Sequence, residues 1–362
     1  MALVKGSLQR GLAVGLVCPS NDLARLAYAA GATVFLAPIG DRPRPRDLLT
    51  MMELGAIAWR YKPDLLHLHG LRAAGLGRPV AGFLGLPAII TYHSTLACEN
   101  RLRQAAIVHL ERFLSRWTTK AIAVSEHVKM DVLTRLGLRP DAVTAILNGV
   151  DLASIRPKRS RAEFRGSLGL PVEALVVGTV ARLAEQKDIP TLLLAAQQVL
   201  ETAPGAYFIL AGDGPLAATL QKMALTLGIA GQVHFLGERR DIPDLLSAID
   251  IFLLSSRYEG APLAAIEAMA AGRPVLATAV GGLEDIVPQG LAGFLVPAGD
   301  PSALAKELLR LIQDEELRSR LGAGARAWAS EHLDQERMVS ETCRVYEEVM
   351  ANIQSHSTGL RK

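Results

Sequence analysis

Short apolar runs recur along the chain at Leu12–Cys18, Thr33–Ala37, Leu65–His69, Ala88–Tyr92, Ala121–Val124 and Ala145–Leu147. They are nearly continuous rather than alternating, the pattern of strands buried on both faces. Between them, stretches such as Leu48–Tyr61 and Arg101–Trp117 space their apolar residues as helices do. After "RPKRSRAEFRGSLGLP" (Arg156–Pro171) the pattern restarts, with strands predicted at Leu175–Val180, Tyr207–Ala211, Val233–Leu236, Ile251–Ser255, Pro274–Thr278 and Gly293–Val296. Helices fit at Thr191–Glu201, Leu216–Leu227, Ile242–Ala248 and Leu263–Ala271, then Pro301–Asp314 and Gln335–Ile353. Strands alternating with helices predict an α/β fold with parallel sheets covered on both faces. The restart predicts two domains, residues 1–150 and 151–333, joined near Asn148–Pro157 and followed by a terminal segment, 334–362.

No apolar run reaches the ~18–20 residues that span a bilayer. The most apolar stretch, Val80–Tyr92, is cut by Gly82, Gly85 and Pro87. Met1–Pro19 lacks the pattern of a signal peptide. Cys18, Cys98 and Cys343 are too few and too far apart for a disulfide framework, which suits a reducing, cytoplasmic setting. Net charge is +3, unevenly placed: residues 1–150 carry 18 Lys/Arg against 10 Asp/Glu, and residues 151–362 carry 21 against 26. A basic first half suits an anionic partner. Nucleic acid is disfavoured, because no aromatic-rich basic strand or zinc spacing is present. A phosphorylated substrate or an anionic membrane surface fits better. "ENRLRQAAIVHLERFLSRW" (Glu99–Trp117) interleaves basic and apolar residues. It reads either as a helix lying on anionic lipid or as an ordinary packed helix.

Ligands of parallel α/β sheets bind at the carboxyl ends of strands. The first such loop in the second half, "VARLAEQKDIP", places Arg182 and Lys187 beside a helix start marked by Asp188 and Pro190. A guanidinium fork, an ammonium and free backbone N–H groups make an anion site. In "LAGDGPL", Gly212 and Gly214 allow a tight turn and close approach of a ligand. In "HFLGERRDIPDLL", Asp241 is expected to cap the following helix. The fourth loop, "SSRYEGAPLAAIEAMAAG", places Glu259 before the turn Gly260–Ala261–Pro262–Leu263, whose free N–H groups suit a phosphate. Glu267 follows within an otherwise apolar helix. A carboxylate there needs donors: a vicinal pair of sugar hydroxyls, or a neighbouring Arg. Phosphates held by cations and hydroxyls held by carboxylates describe a nucleotide sugar.

These motifs resemble glycosyltransferase family 4, the retaining GT-B enzymes with an E-x7-E signature, here "EGAPLAAIE". "VARLAEQKD", "LAGDGPL", "VHFLGERRD", "AVGGLEDIV" and "GFLVPAGDPSALA" accompany it in order, as do "PDLLHLHG", "AIITYHST", "AIAVSE" and "ILNGVDL" upstream. The resemblance implies two Rossmann-like domains facing across a cleft, with the terminal helix returning to the first. It implies transfer of a sugar from a UDP- or GDP-linked donor to a lipid-linked, polysaccharide or other acceptor in cell-envelope or polysaccharide synthesis. Arg182 and Lys187 would hold the diphosphate, Glu267 the ribose and Glu259 the sugar. Backbone near Arg239, with Asp241, would read the base. His93 would approach the reacting carbon, and Gly281 and Gly282 would let a loop pass near the donor. No metal or other cofactor is implied; His67 and His69 stand without further ligands in sequence. The family normally begins with a strand and a glycine-rich loop, whereas "MALVKGSLQRG" reads as the end of the helix that follows them. A natural start about 20–30 residues earlier is the expectation. Two other readings compete. One is a truncated or degenerate member that binds nucleotide sugar without transfer. The other is a nicotinamide-dependent oxidoreductase, which lacks G-x-G-x-x-G at the required turn.

Overall fold

The computed structural model describes residues 1–40, 43–96 and 100–359, with side chains as far as Ser355. Cys98, Glu99 and the last three residues lie outside the described residues. The chain forms two compact units: Met1–Leu147 with the chain from Gln335 onward, and Asn148–Asp334.

The first unit opens with α1 (Ala2–Gln9), β1 (Gly15–Cys18), α2 (Asn21–Ala29), β2 (Thr33–Leu36) and α3 (Asp47–Tyr61). It continues with β3 (Leu66–His69), α4 (Gly70–Leu84), β4 (Ala88–Tyr92), α5 (Arg101–Leu114), β5 (Lys120–Ala123), α6 (Glu126–Leu136) and β6 (Val143–Ala145). Local chemistry sets several boundaries. Asn100 caps α5 by accepting from Arg103 N at 3.0 Å, and Ser125 caps α6 by accepting from Val128 N at 3.1 Å. Gly85 ends α4 at φ 66°, a conformation that other residues rarely adopt. All pairs are parallel, but the single sheet expected from the alternating pattern is not formed. β1 pairs with β2, and β3-β4-β5-β6 make a separate sheet. Among the described residues β1 has one strand neighbour, so strand periodicity predicts these strands without predicting how they group.

A charge cluster anchors α4 and α5 to β4. Arg78, fully buried, donates to Glu111 Oε1 at 2.5 Å, and the Tyr92 hydroxyl donates to Glu111 Oε2 at 2.9 Å. Burial, then the Glu111 charge, raise the Tyr92 pKa, so the phenol stays a donor.

The second unit comprises α7 (Arg161–Ser167), β7 (Leu175–Val180), α8 (Ile189–Thr202), β8 (Ala206–Ala211), α9 (Ala217–Thr226), β9 (Val233–Gly237) and α10 (Ile242–Ala248). Then come β10 (Ile251–Leu254), α11 (Leu263–Ala270), β11 (Val275–Thr278), α12 (Leu283–Ile286), β12 (Gly293–Val296), α13 (Pro301–Gln313) and α14 (Glu315–His332). Its one parallel sheet has the order β12-β11-β10-β7-β8-β9. The chain runs outward from β7 to β9, then returns to β10 on the other side of β7. Such a reversal leaves a crevice at the strands' carboxyl ends. Apolar residues of β7, β8 and β10 pack with those of α8 and α13 in an extensive core. Segment 156–174 is pinned by Arg165, which donates to the carbonyls of Ala248, Val172 and Ala174 and to Asp250 Oδ2.

The last helix, α15 (Gln335–Gly359), belongs to the first unit. Val345 and Val349 pack on Ile89, Ile122 and Ile146 of that unit's core.

Candidate active site

In the second unit four loops converge beyond the strand ends around a cavity of about 530 Å³. Its lining includes Arg182, Lys187, Gly212, Glu238, Arg239 and Leu263. The loops after β7 and β8 continue the sheet as a backbone ladder: Ala181 N donates to Ala211 O, Leu183 N to Asp213 O and Leu216 N to Leu183 O, each at 3.0 Å. This ladder explains the two glycines of "GDG". A Cβ on Gly212 would lie 1.9 Å from Ala181 O, and one on Gly214 would lie 2.4 Å from Leu183 O. The glycines bring protein backbone to protein backbone, and so hold Arg182 between two fixed neighbours. The Arg182 side chain is exposed and, among the described residues, unpaired.

Lys187 differs. Its ammonium reaches Glu259 Oε1 at 2.5 Å, an oxygen that also accepts from Ser256 Oγ at 2.5 Å. The neighbours of Lys187 in sequence do not reveal this partner: a loop some seventy residues away supplies it. Glu259 is 6% exposed, and its Oε2 is unengaged among the described residues. The two loops are stitched together. Ser255 Oγ donates to Lys187 O and Asp188 O, Arg257 N to Gln186 O, and Gln186 Nε2 to Tyr258 O. Asp188 sits in the left-handed region at φ 45°, held by Thr191 Oγ1, which donates to its carboxylate at 2.8 Å. Strain of this kind persists only where surrounding structure enforces it.

Gly281 also buttresses protein rather than approaching open space: a Cβ there would lie 2.0 Å from Glu259 O. Gly282 N donates to the same carbonyl at 3.3 Å. The glycine pair therefore fixes the Glu259 loop from behind.

Asp241 makes no side-chain cap on α10. Its carboxylate instead takes a forked pair from Arg239, at 2.9 and 2.5 Å, and a third contact from Arg159. Two guanidiniums outcompete a backbone N–H for a carboxylate. Asp244 meanwhile accepts from Lys158 N and Arg159 N. Asp241 thus orients Arg239 at the cavity wall.

Pro262, Leu263 and Ala264 line the cavity at the start of α11. Glu267 follows Leu263 by four residues and Ala264 by three, hence on the same helix face. It is half-buried and, among the described residues, has no hydrogen-bond or ion-pair partner. Of the two sources of donors considered, the neighbouring Arg is absent. Burial alone raises its pKa, which marks a carboxylate that has lost water and gained nothing in return.

The first unit contributes a row of imidazoles. Alternation along β3 puts Leu65, His67 and His69 on one sheet face, and Ile89, Thr91 and His93 share it along β4. α15 covers the apolar end of this row. Both His67 nitrogens are engaged, Nδ1 with the Tyr346 hydroxyl at 2.6 Å and Nε2 with Thr91 Oγ1 at 2.7 Å. His69 and His93 emerge at the strand ends, with His69 Nδ1 at 3.2 Å from His93 Nε2. His69 therefore does have a neighbour that its own strand does not reveal, and i, i+2 spacing on two adjacent strands was the available signal. Among the described residues no group of three or more His, Cys, Asp or Glu is placed to hold a metal ion. Desolvation by nearby protein lowers the pKa values of all three rings, with mutual repulsion adding at His67 and His69, and His69 falls to about 4, although His69 and His93 remain exposed to solvent.

Comparison with known proteins agrees with these motifs. The family model "Glycosyltransferase Family 4" matches residues 1–154, and "Glycosyl transferases group 1" matches residues 160–328. A D-inositol 3-phosphate glycosyltransferase from Streptomyces scabiei is 32% identical over 306 residues, 79% of this chain and 68% of that protein. The chain belongs to glycosyltransferase family 4. Another similar member of this family, from Escherichia coli, is UDP-Gal:alpha-D-GlcNAc-diphosphoundecaprenol alpha-1,3-galactosyltransferase, 29% identical over 75% of this chain and 72% of its own length. Among solved structures, Anabaena HepE in complex with UDP-glucose superposes with a TM-score of 0.84 at 24% identity, covering 96% of this chain and 95% of that one. This likeness fixes the fold as GT-B, with two Rossmann-like units.

Proposed function

We propose that this glycosyltransferase moves a sugar from a UDP- or GDP-linked donor to a glycan or lipid-linked acceptor, retaining the anomeric configuration. Glu267 carries the reading. A half-buried carboxylate with no donor among the described residues, one turn inside a helix that lines the cavity, matches a pair of ribose hydroxyls. Phosphate oxygens then fall to Arg182, Lys187 and the free N–H groups at the start of α11, without a metal ion. As the sugar–oxygen bond breaks, negative charge grows on the diphosphate, and cations already in place stabilise it without reorganisation. Glu259 is not a free nucleophile, because Lys187 and Ser256 share its Oε1; its Oε2 remains for a sugar hydroxyl. This disposition supports departure assisted by the diphosphate over a covalent glycosyl-enzyme. Retention rests on the resemblance to the E-x7-E enzymes.

The acceptor side falls to the first unit, and α5 supports a membrane-borne acceptor. Leu102, Leu110 and Phe113 are exposed on one face of α5, at 84, 55 and 50%. Arg101, Arg103, Arg112 and Arg116 surround them, and Arg116 lies over the Phe113 ring at 3.6 Å. The helix's one carboxylate, Glu111, is buried against Arg78. An apolar stripe flanked by cations fits the anionic headgroup region of a bilayer. No described helix is long and apolar enough to cross a membrane, so such contact would be peripheral.

Titration calorimetry with UDP and GDP against the wild type and Glu267→Gln tests the donor reading. At least about a tenfold loss of affinity is expected, one to two hydrogen bonds to a charged group. Unchanged affinity rejects it. Product anomers read by NMR test retention. Flotation with phosphatidylglycerol against phosphatidylcholine vesicles tests the α5 surface.

A further inference from the structure

His69 has no part in the function proposed above, yet its Nδ1 lies 3.2 Å from Nε2 of His93. We propose that His69 is a positioning residue for His93: the hydrogen bond between His69 Nδ1 and His93 Nε2 fixes which His93 nitrogen carries the proton, and so what His93 Nδ1 offers to a sugar hydroxyl. The proposal rests on the reading that His93 faces the donor sugar.

Proton counting gives the mechanism. Two neutral imidazoles carry two protons on four nitrogens, and one proton lies between Nδ1 of His69 and Nε2 of His93. If His69 donates, His93 must carry its own proton on Nδ1 and acts outward as a donor. If His93 donates, its Nδ1 is a bare acceptor. Alone, the two rings would take up tautomers independently; joined, they have only these two joint forms, so the tautomer of His69 dictates that of His93. The pair is itself held in place. His67 stacks on His69 with ring centres 4.2 Å apart and planes tilted by 31°. His67 cannot turn without losing Tyr346 and Thr91, which hold both its nitrogens. The chain of contacts thus runs from α15 through two strands to the His93 ring.

The test uses full-length protein labelled with nitrogen-15 at histidine, as wild type, His69→Leu and His69→Asn. The Asn amide reaches the position of Nδ1, so it keeps a hydrogen-bonding atom there. In the wild type the His69 and His93 ring nitrogens should report matched tautomers; in His69→Leu the His93 shifts should move to the averaged values of an unpaired ring, and in His69→Asn return towards the wild type. With UDP-glucose, UDP-galactose and UDP-N-acetylglucosamine as probes, kcat should fall about tenfold in His69→Leu, the low end for removing an orienting partner. KM for the donor should change less than kcat, with partial rescue by Asn. Unchanged His93 nitrogen shifts in His69→Leu, or Asn no better than Leu, would overturn the proposal. His93→Leu separates the two readings. Full turnover in that variant removes His93 from the chemistry, whereas lost turnover there with normal His69→Leu removes only the positioning role.

Discussion

The two units are built from the same alternation of strand and helix, but they spend it differently. The second closes six strands into one sheet over a continuous core, and its unusual residues gather at one end of that sheet. The first divides its strands between two sheets and, among the described residues, leaves large apolar side chains in water on six helices, among them Leu26 and Tyr28 on α2, Leu48, Leu49, Met52 and Trp59 on α3, Phe83 on α4, and Leu102, Leu110 and Phe113 on α5. Of the exposed large apolar residues described, only Val172, Leu225, Tyr258, Leu263 and Leu291 belong to the second unit. Apolar patches of this kind, rimmed by Arg, mark contact surfaces. The second unit thus gathers its charged loop residues at a preformed ledge, whereas the first leaves apolar side chains in water. The charge balance along the sequence has the same division, basic first and acidic second.

The ledge can be broken most severely through its glycines. Gly212→Ala should destabilise the second unit by several kcal/mol, on the order of 3–5, because the new methyl meets Ala181 O at 1.9 Å from a backbone at φ 135°. Denaturant melting of the wild type and variant measures this. A loss below about 1 kcal/mol would mean that the ledge is soft. The two cations come next, and they should part company. Both Arg182→Ala and Lys187→Ala should lower turnover by about 10²–10³-fold, as loss of a donor to developing charge does. Only Lys187→Ala should also cost stability, about 2–3 kcal/mol, since it strands the buried Glu259 carboxylate with Ser256 alone. Arg182→Ala should stay within about 0.5 kcal/mol. Equal melting of the two would contradict the ion pair.

Glu267 gives a subtler test. Its folded-state pKa lies above the ordinary 4.5, so the folded chain holds the proton more tightly than the unfolded chain does. Stability from this group is full below pH 4.5 and is lost as pH rises through the raised value. Glu267→Gln should flatten that slope and leave stability at pH 7 equal or higher, while weakening nucleotide binding. A less stable Gln variant would indicate that the carboxylate has a protein partner. The smallest effect belongs to the open unit. Leu110→Glu should change stability by no more than about 0.5 kcal/mol, because the side chain is already in water, yet abolish flotation with anionic vesicles. A large loss of stability would show α5 to be packed.

Strand positions were legible because buried parallel strands are short, apolar and nearly uninterrupted, and β4, β7 and β12 begin and end where the pattern places them. Helix α14 was not. The pattern predicts no helix between Asp314 and Gln335, and Gly322 and Gly324 are glycine for contact: Cβ atoms there would lie 2.5 Å from Gly272 O and 2.2 Å from Leu291 O. The division of the first unit into two sheets was also hidden, since pairing between strands is non-local. At the candidate site the residue types could be read from loop position. Their partners could not: Lys187 with Glu259, Asp241 with Arg239 and Arg159, and His69 with His93 are juxtapositions made by the fold. That no described residue partners Glu267 is likewise a fact about space rather than sequence.

The return of α15 to the first unit has a consequence for the order of events during synthesis. Residues 148–334 leave the ribosome as a complete set, and their core can close as soon as they emerge. The earlier-made residues 1–147 must wait, because Ile89, Ile122 and Ile146 are covered by Val345 and Val349, and His67 meets Tyr346, only when the final helix appears. The portion translated first is therefore the last to finish. A stalled or clipped chain lacking residues 335–362 would carry an intact second unit and an uncovered first one, a form exposed to chaperones and proteases in the interval.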